Sequence, residues 1–280
     1  MNREEPLREG LIAHLERTRV LNDPRIAAAL RAVDRHRFVP TIVPEEAYED
    51  KALAIKERDG SVISSISQPS MIVHMLVLLD VHRGDQVLEI GTGSGYNAAL
   101  LAQLAGMGNV VSVEIERDLI EHARAALDQQ GFGPIMLVHA EDLAGMQRRF
   151  DRIIVTARSH DIEADWWRLL APGGRIVVPL DIGYGGERAI GFIREGKRLR
   201  SVGSYACAFV ELRGGCGGKD TVDPAMFFRT RGARYEREPG ASTPLDVVAI
   251  ERENADASLL EGADAVVARP HTLFAVTRTV

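Results

Sequence analysis

The stretch "VLEIGTGSGYNAALLAQL", residues 87–104, decides the fold class of this chain. An apolar strand pattern runs into three glycines at alternate positions, Gly91, Gly93 and Gly95, and a helical pattern follows. Glycine tolerates positive φ and lets a ligand approach the backbone closely, and free N–H groups at a helix start attract electronegative atoms. The stretch therefore predicts a strand–loop–helix unit with a ligand site where the first strand ends.

Apolar runs alternate with helical patterns from residue 85 onward. The strand candidates are residues 86–90, 110–113, 135–138, 152–156 and 175–179. Helical patterns lie between several of them, over residues 96–105, 117–129 and 162–170. This alternation is typical of a parallel sheet covered by helices on both faces. The sequence thus predicts an α/β fold, with a Rossmann-like, doubly wound domain over residues 81–212.

The two ends of the chain differ from this alternating part. Residues 1–80 carry helical patterns that predict an N-terminal helical segment on the substrate side, with helices over 5–21, 23–33 and 67–81. Two short alternating runs around Glu195-Gly196-Lys197 predict a hairpin at the edge of the sheet. Residues 213–280 mix loop-like and apolar stretches, and we interpret them as a small C-terminal appendage of uncertain fold.

Composition excludes several classes of function. Across 280 residues, 34 Lys and Arg against 40 Asp and Glu give a net charge of −6, which argues against a broad nucleic-acid surface because such surfaces are normally basic. With two cysteines, Cys207 and Cys216, we expect no disulfide framework and a cytoplasmic location. No apolar run approaches the roughly 20 residues of a membrane span, and neither CxxC nor HExxH occurs. We therefore expect neither a membrane anchor nor a metal site, and the oligomeric state stays open.

The glycine loop does not have the pattern of a phosphate-binding loop. It reads G-x-G-x-G, whereas the pyrophosphate fingerprint is G-x-G-x-x-G, and the lysine of a P-loop is absent. Glu89 suits a cationic amino-acid moiety, and Glu114, 23 residues after Gly91, is placed to accept ribose hydroxyls. Both features fit S-adenosylmethionine, a nucleoside with a sulfonium and no phosphate. The predicted cofactor contacts are Glu89, Gly91, Thr92, Gly93, Gly95, Glu114 and, for the adenine amino group, Glu141 or Asp142.

A second motif precedes the loop. "SISQP", residues 65–69, resembles the [ST]-I-S-Q-P of protein-L-isoaspartate O-methyltransferases, and the similarity continues through "FDRIIVTA" and "LLAPGGRIVVPL" and back to "VDRHRFVP". It covers about residues 25–212. The resemblance implies methyl transfer from S-adenosylmethionine to an isoaspartyl or aspartyl carboxylate of a protein or peptide. It also implies that Ser67 lies beside the methyl acceptor, with Ser65, Ile66 and Gln68 shaping the substrate-binding strip.

The implied chemistry requires few catalytic groups. A carboxylate with a pKa of about 4 is already ionised at neutral pH, so no general base is needed. Alignment of oxygen, methyl and sulfur remains, which is catalysis by positioning. A hydroxyl such as that of Ser67 can orient one carboxylate oxygen while the other attacks. The alternative for Ser65 and Ser67 is that they only cap the apolar helix behind them.

Three departures from the family pattern leave the substrate open. The segment "IKERDGSVISS" is long and polar, the usual G-D-G appears as Ala140-Glu141-Asp142, and about 65 residues follow the matching part. These features are similar to a divergent branch associated with ribosomally made peptides, whose members methylate an aspartate in a modified precursor. The ester then closes to a succinimide on either substrate. Two further alternatives are a small-molecule or nucleic-acid methyltransferase on the same fold, and a non-catalytic binding module.

Overall fold

The N-terminal part of the chain packs helices against one face of a large sheet. The computed structural model describes residues 3–181, 186–213, 227–229, 245–251, 263, 265–268 and 272–278. Helices α1 (Glu4–Arg17), α2 (Pro24–Ala32) and α3 (Pro44–Ala47) come first, with a 3₁₀ turn over Arg35–Phe38 between the last two. Asp23 accepts a hydrogen bond from the Arg25 N–H and so caps helix α2, as the Asp-Pro pair predicts.

A β-hairpin that the sequence analysis did not predict follows these helices. Strands β1 (Leu53–Arg58) and β2 (Ser61–Ile66) pair antiparallel. Asp59 and Gly60 form the turn with φ of 52° and 75°, and two successive positive φ values match the right-handed twist of hairpin strands. The long polar segment before "SISQP" is therefore a hairpin that carries the serines toward helix α4 (Pro69–Leu79).

The central sheet confirms the predicted α/β fold class. Its remaining elements are β3 (Val87–Ile90), α5 (Tyr96–Ala105), β4 (Val110–Glu114), α6 (Arg117–Gln129), β5 (Met136–His139), β6 (Phe150–Val155), α7 (Ala164–Leu169), β7 (Leu170–Asp181), β8 (Glu187–Glu195), β9 (Arg198–Ala206), β10 (Phe227–Arg229), β11 (Leu245–Glu251), β12 (Ala265–Ala268) and β13 (Thr272–Arg278). The strand order is β10-β12-β13-β11-β9-β8-β7-β6-β3-β4-β5. Strands β7, β6, β3, β4 and β5 pair in parallel, and the others pair antiparallel.

Alternate residues of the buried strands feed two hydrophobic cores. Ile154 of β6 joins a cluster with helices α1, α2, α4 and α5, whereas its neighbour Ile153 joins a cluster with Trp166 and Trp167 of α7. Successive side chains of a strand point to opposite faces, so a run of apolar residues is what a sheet covered on both sides needs. Within the described residues, no helix is long and apolar enough to cross a membrane.

The hairpin β8–β9 is not at the sheet edge, so that prediction is wrong. Strand β9 pairs with β11, and β13 and β12 continue the sheet beyond it. Val247 of β11 and Phe274 of β13 are buried in the same cluster as helix α7, and Trp167 Nε1 donates a 3.3 Å hydrogen bond to Thr272 Oγ1. The described C-terminal strands thus share a sheet and a core with the rest of the domain. The domain boundaries at residues 80 and 212 stay predictions.

Candidate functional site

A cleft opens where strands β3, β4 and β6 end. Its open volume is about 960 Å³, including solvent at the mouth. Three segments form most of its wall: the glycine loop at residues 91–94, the serine strip at residues 63–67, and the tail at residues 210–213. Ligands of open α/β sheets bind at the carboxyl ends of the strands, and this cleft has that position.

The three glycines of the loop have different tasks. All have positive φ, +102° at Gly91, +53° at Gly93 and +87° at Gly95. A β carbon on Gly91 would lie 2.4 Å from Thr156 Oγ1, so no side chain fits there without a shift. A β carbon on Gly95 would lie 3.3 Å from Ala123 and Leu127 of helix α6. Gly91 and Gly93 line the cleft, whereas Gly95 allows close packing of α6 behind it.

Glu114 lies in the cleft wall, and its role as a ribose acceptor stays a prediction. Its carboxylate accepts hydrogen bonds from the backbone N–H groups of Gly93 (2.8 Å), Ile115 (2.9 Å) and Glu116 (3.1 Å). A carboxylate has about four acceptor positions, so one further donor fits without displacing these bonds. The side chain is thereby fixed by three backbone donors before any ligand binds.

Glu89 lies behind the cleft wall instead of in it. It is fully buried and accepts hydrogen bonds from Asn97 Nδ2 (2.7 Å) and Ser112 Oγ (2.5 Å). Ser112 also bonds the hydroxyl of Thr92 at 2.6 Å, and Thr92 and Asn97 do line the cleft. Burial raises the pKa of Glu89 to about 7. The structure therefore connects Glu89 to the site through Asn97 and Thr92.

The acidic pair after strand β5 is also outside the wall. Glu141 and Asp142 belong to a 3₁₀ turn over Ala140–Asp142 and are exposed, while Ala140 lines the cleft. Glu141 forms an ion pair with Arg117 at 3.2 Å, and its Oε2 lies 3.2 Å from His139 Nδ1. A role of either acid toward adenine stays a prediction.

The serine strip faces the glycine loop across the cleft. Ser65, Ile66 and Ser67 line it, together with Ser64, which the sequence analysis missed, whereas Gln68 does not. A β carbon on Gly93 would lie 3.5 Å from Ser64 Oγ and 3.8 Å from the Ser65 carbonyl oxygen, which shows how closely strip and loop approach.

The alternative that Ser65 and Ser67 cap helix α4 does not match the structure. The N-cap residue, Gln68, has no capping side-chain bond, and Asp50 Oδ1 accepts the Ser70 N–H at 2.8 Å. Within the described part of the chain, neither serine hydroxyl has a hydrogen-bond partner, so both are available to a ligand.

A cluster of charges connects the hairpin and the tail to the loop after β4. Glu116 accepts from Lys56 (2.6 Å), from Arg58 (2.8 Å) and from Arg213. The hydrogen bonds from Lys56 and then Arg213 lower the pKa of Glu116 to about 2. These contacts cannot be predicted from local sequence, because the partners of Glu116 lie far from it along the chain. Arg213, for example, is 97 positions away.

Comparisons with known proteins agree with this geometry. The sequence model of the protein-L-isoaspartate(D-aspartate) O-methyltransferase family matches residues 6–215. A protein-L-isoaspartate O-methyltransferase of Methylibium petroleiphilum is 39% identical over 223 residues, which are 74% of this chain and 80% of that protein. One of Methanoculleus marisnigri is 37% identical over 223 residues, 78% of this chain and 96% of its own.

Two solved structures share the fold. A Plasmodium falciparum structure, described as a protein-L-isoaspartate O-methyltransferase in complex with S-adenosyl-L-homocysteine, has a TM-score of 0.62 at 20% identity and covers 73% of this chain and 97% of its own. Another, described as a protein-L-isoaspartate O-methyltransferase, has a TM-score of 0.68 at 22% identity and covers 98% of this chain and 88% of its own. The second match therefore extends through the C-terminal strands. With three quarters of its length matched by the family description, this chain belongs to the protein-L-isoaspartate(D-aspartate) O-methyltransferase family, as "SISQP" and the glycine loop predict.

Proposed function

We propose that this protein transfers the methyl group of S-adenosylmethionine to the carboxylate of an isoaspartyl residue in a protein or peptide, forming an ester that can close to a succinimide. One observation carries the proposal: the backbone of the glycine loop and the serine strip line one cleft, and the Ser65 and Ser67 hydroxyls have no hydrogen-bond partner among the described residues. The names of relatives that are 39% and 37% identical to this chain support the same activity.

The cleft fits S-adenosylmethionine in its chemistry. Glu114 keeps one acceptor position for a hydroxyl, and Gly91 leaves no room for a side chain between loop and Thr156. Asn97 and Thr92 would meet the amino-acid moiety, and Glu89 lies behind them, bonded to Asn97 directly and to Thr92 through Ser112. When bound, the cofactor supplies an electrophilic methyl group on a sulfonium, whose sulfur keeps the bond electrons as a neutral thioether.

The chain's own residues bind and orient the acceptor. The acceptor carboxylate arrives ionised, so the site needs no proton acceptor. The hydroxyl of Ser67 donates to one carboxylate oxygen and leaves the other free to attack. The strip lies between the end of the hairpin and the start of helix α4. Its position is fixed on one side by the pairing of Leu53 with Ile66, and on the other by the hydrogen bond from the Ser70 N–H to Asp50. Catalysis then consists of alignment in a preformed cleft.

Methyl incorporation into matched peptides tests the proposal. Labelled S-adenosylmethionine is offered with two peptides that differ only in an isoaspartyl or an aspartyl residue, and base-labile label is counted. We expect label in the isoaspartyl peptide. Label in the aspartyl peptide alone would mean that the enzyme methylates aspartate, as expected for a precursor-peptide substrate, and not isoaspartate. Label in neither would contradict the proposal.

The C-terminal strands do not separate these two substrates, because the match that covers 98% of this chain bears the isoaspartate description. The substrate context and the cytoplasmic location stay predictions.

A further inference from the structure

Arg35 lies fully buried behind the serine strip, and the proposed function does not use it. Its residue exposure is 0%, and it belongs to the 3₁₀ turn Arg35–Phe38. Nη2 donates to the carbonyl oxygen of Ser67 at 3.0 Å, and Nε donates to that of Ala47 at 2.8 Å. One guanidinium group therefore supports the backbone of the residue that faces the acceptor.

The same guanidinium contacts the other side of the cleft. Its central carbon lies 5.1 Å from the ring centroid of Tyr96, the first residue of helix α5 and part of the cleft wall. Arg35 itself is not among the lining residues. Its charge thus lies directly beneath a site that receives a ligand, separated from it by Ser67 and Tyr96.

The charge of Arg35 has no close counterion. Within the described residues, no carboxylate oxygen lies within 4.0 Å of its nitrogens, and Nη1 has no hydrogen-bond partner. Asp50 acts on Arg35 from a greater distance, and its Oδ1 is already bonded to the Ser70 N–H. Burial of an unpaired cation is costly, and a neutral donor would bridge the Ser67 and Ala47 carbonyls without that cost.

We propose that Arg35 is the residue that makes the acceptor site specific for an anion: its buried charge, acting through Ser67, favours a carboxylate over a neutral group of the same shape. The inference rests on the proposed function for its choice of acceptor. A charge in a poorly hydrated interior acts over several ångströms and is screened little by salt. The negative acceptor supplies the compensation that the protein lacks.

The competing explanation is a purely structural Arg35, or a preference due to surface cations. Arg213 lines the cleft, and Lys56 and Arg58 share its partner Glu116, but all three are paired with that carboxylate and at least partly exposed. A structural residue would, when replaced, weaken binding of charged and neutral acceptors equally. Surface cations would lose their effect in high salt.

The test compares two non-reacting complexes. The full chain is saturated with S-adenosylhomocysteine, and calorimetry measures the affinity for an isoaspartyl peptide and for the same peptide with an isoasparaginyl amide. We expect the wild type to bind the acid about ten-fold or more tightly than the amide at low salt. The same preference should persist at about 0.5 M salt, a concentration that screens exposed surface charges. Arg35→Gln should remove most of that preference, and Arg35→Lys should keep a larger part of it because the charge remains.

Arg124→Gln is the matched control. Arg124 also donates to backbone carbonyls, those of Ile135 (2.8 Å) and Gly133 (3.2 Å), but it lies on helix α6 away from the strip. It should leave the acid-to-amide ratio unchanged. If Arg35→Gln proves unstable, the wild-type ratio in high salt decides instead: its collapse would overturn the inference.

The methyl-transfer activity and the role of Arg35 can be rejected independently. Absence of methyl incorporation together with an acid preference that follows Arg35 would reject the proposed activity and keep the anion site. Turnover of the isoaspartyl peptide with an acid-to-amide ratio that Arg35→Gln does not change would keep the activity and overturn the inference.

Discussion

The hydroxyl of Thr156, at the end of strand β6, donates a 2.7 Å hydrogen bond to the carbonyl oxygen of Gly91 at the end of strand β3. The same hydroxyl occupies the space that a side chain at position 91 would need, 2.4 Å from the ideal β-carbon position. Two adjacent parallel strands thereby fix the start of the glycine loop.

Gly91→Ala should therefore disrupt the cofactor site. The added methyl must displace Thr156 or shift the loop, and φ of +102° is strained for alanine. Strain of roughly 1–3 kcal/mol corresponds to an affinity for S-adenosylhomocysteine about 5- to 150-fold lower, measured by calorimetry. Gly93→Ala should be milder, because its β carbon would meet nothing nearer than 3.5 Å.

Gly60→Ala is the control for backbone strain alone. Gly60 also has positive φ, +75°, but a β carbon there meets open space at the hairpin turn. It should lower the free energy of unfolding by about 1 kcal/mol and leave cofactor affinity unchanged. If the Gly91→Ala protein and the wild type bind S-adenosylhomocysteine with equal affinity, the glycine loop does not contact the cofactor.

Ser67→Ala should slow methyl transfer without weakening cofactor binding. The Ser67 hydroxyl has no partner within the described structure and lines the cleft, so its loss affects the acceptor and not the fold. Misplacement of an acceptor costs up to about 100-fold in rate, and we expect kcat to fall by about 10- to 100-fold. Ser61→Ala, at the exposed start of strand β2, which ends one residue before Ser67, should change neither quantity. A variant with wild-type kcat would show that Ser67 does not orient the acceptor.

Glu89→Gln should change how stability depends on pH. The pKa of Glu89 is raised from 4.5 to about 7 in the folded chain, because burial disfavours the carboxylate. A carboxyl group with a raised folded pKa contributes most below its unfolded pKa, and that contribution is lost as pH rises to about 7. The cofactor-free wild type should therefore lose stability between about pH 4.5 and 7 relative to the variant.

Urea unfolding of both proteins at several pH values measures this difference. Glutamine keeps an oxygen that accepts from Asn97 Nδ2, and its NH2 group can donate to Ser112 Oγ once that hydroxyl turns its own proton toward Thr92 Oγ1. Glu121→Gln on the exposed face of helix α6 serves as the control for a lost surface charge. Parallel stability curves for wild type and Glu89→Gln would mean that folding does not shift the pKa of Glu89.

Local patterns predict the sheet and the loop but not what lies around them. The strand candidates agree with β3, β4 and β5 within a residue or so at each end, because buried parallel strands are continuous apolar runs. The sequence does not reveal the hairpin β1–β2, because the strands beside its Asp-Gly turn, "LAIKER" and "SVISSI", lack a regular alternation of apolar and polar residues. The sheet edge was misplaced because β11 lies about forty residues beyond β9.

The site shows the same division. The glycine loop and "SISQP" are contiguous, so their residues can be identified in sequence. The position of Glu89 behind Asn97 and the contact of Arg35 with Ser67 depend on how separate elements pack, and neither is encoded in a local spacing.

Phe274→Ala should destabilise the whole domain, although position 274 lies well beyond the part that resembles the family. Phe274 of strand β13 is 0% exposed and packs in one cluster with Trp166 and Trp167 of helix α7. Removal of a buried phenylalanine side chain costs about 3–5 kcal/mol in the free energy of unfolding. Val202→Ala is the control, because Val202 of β9 is 38% exposed. If the C-terminal strands formed a separate docking appendage, Phe274→Ala would leave the main unfolding transition in place. A single transition displaced to lower urea would instead establish that these strands complete the core on which the methyl-transfer cleft is built.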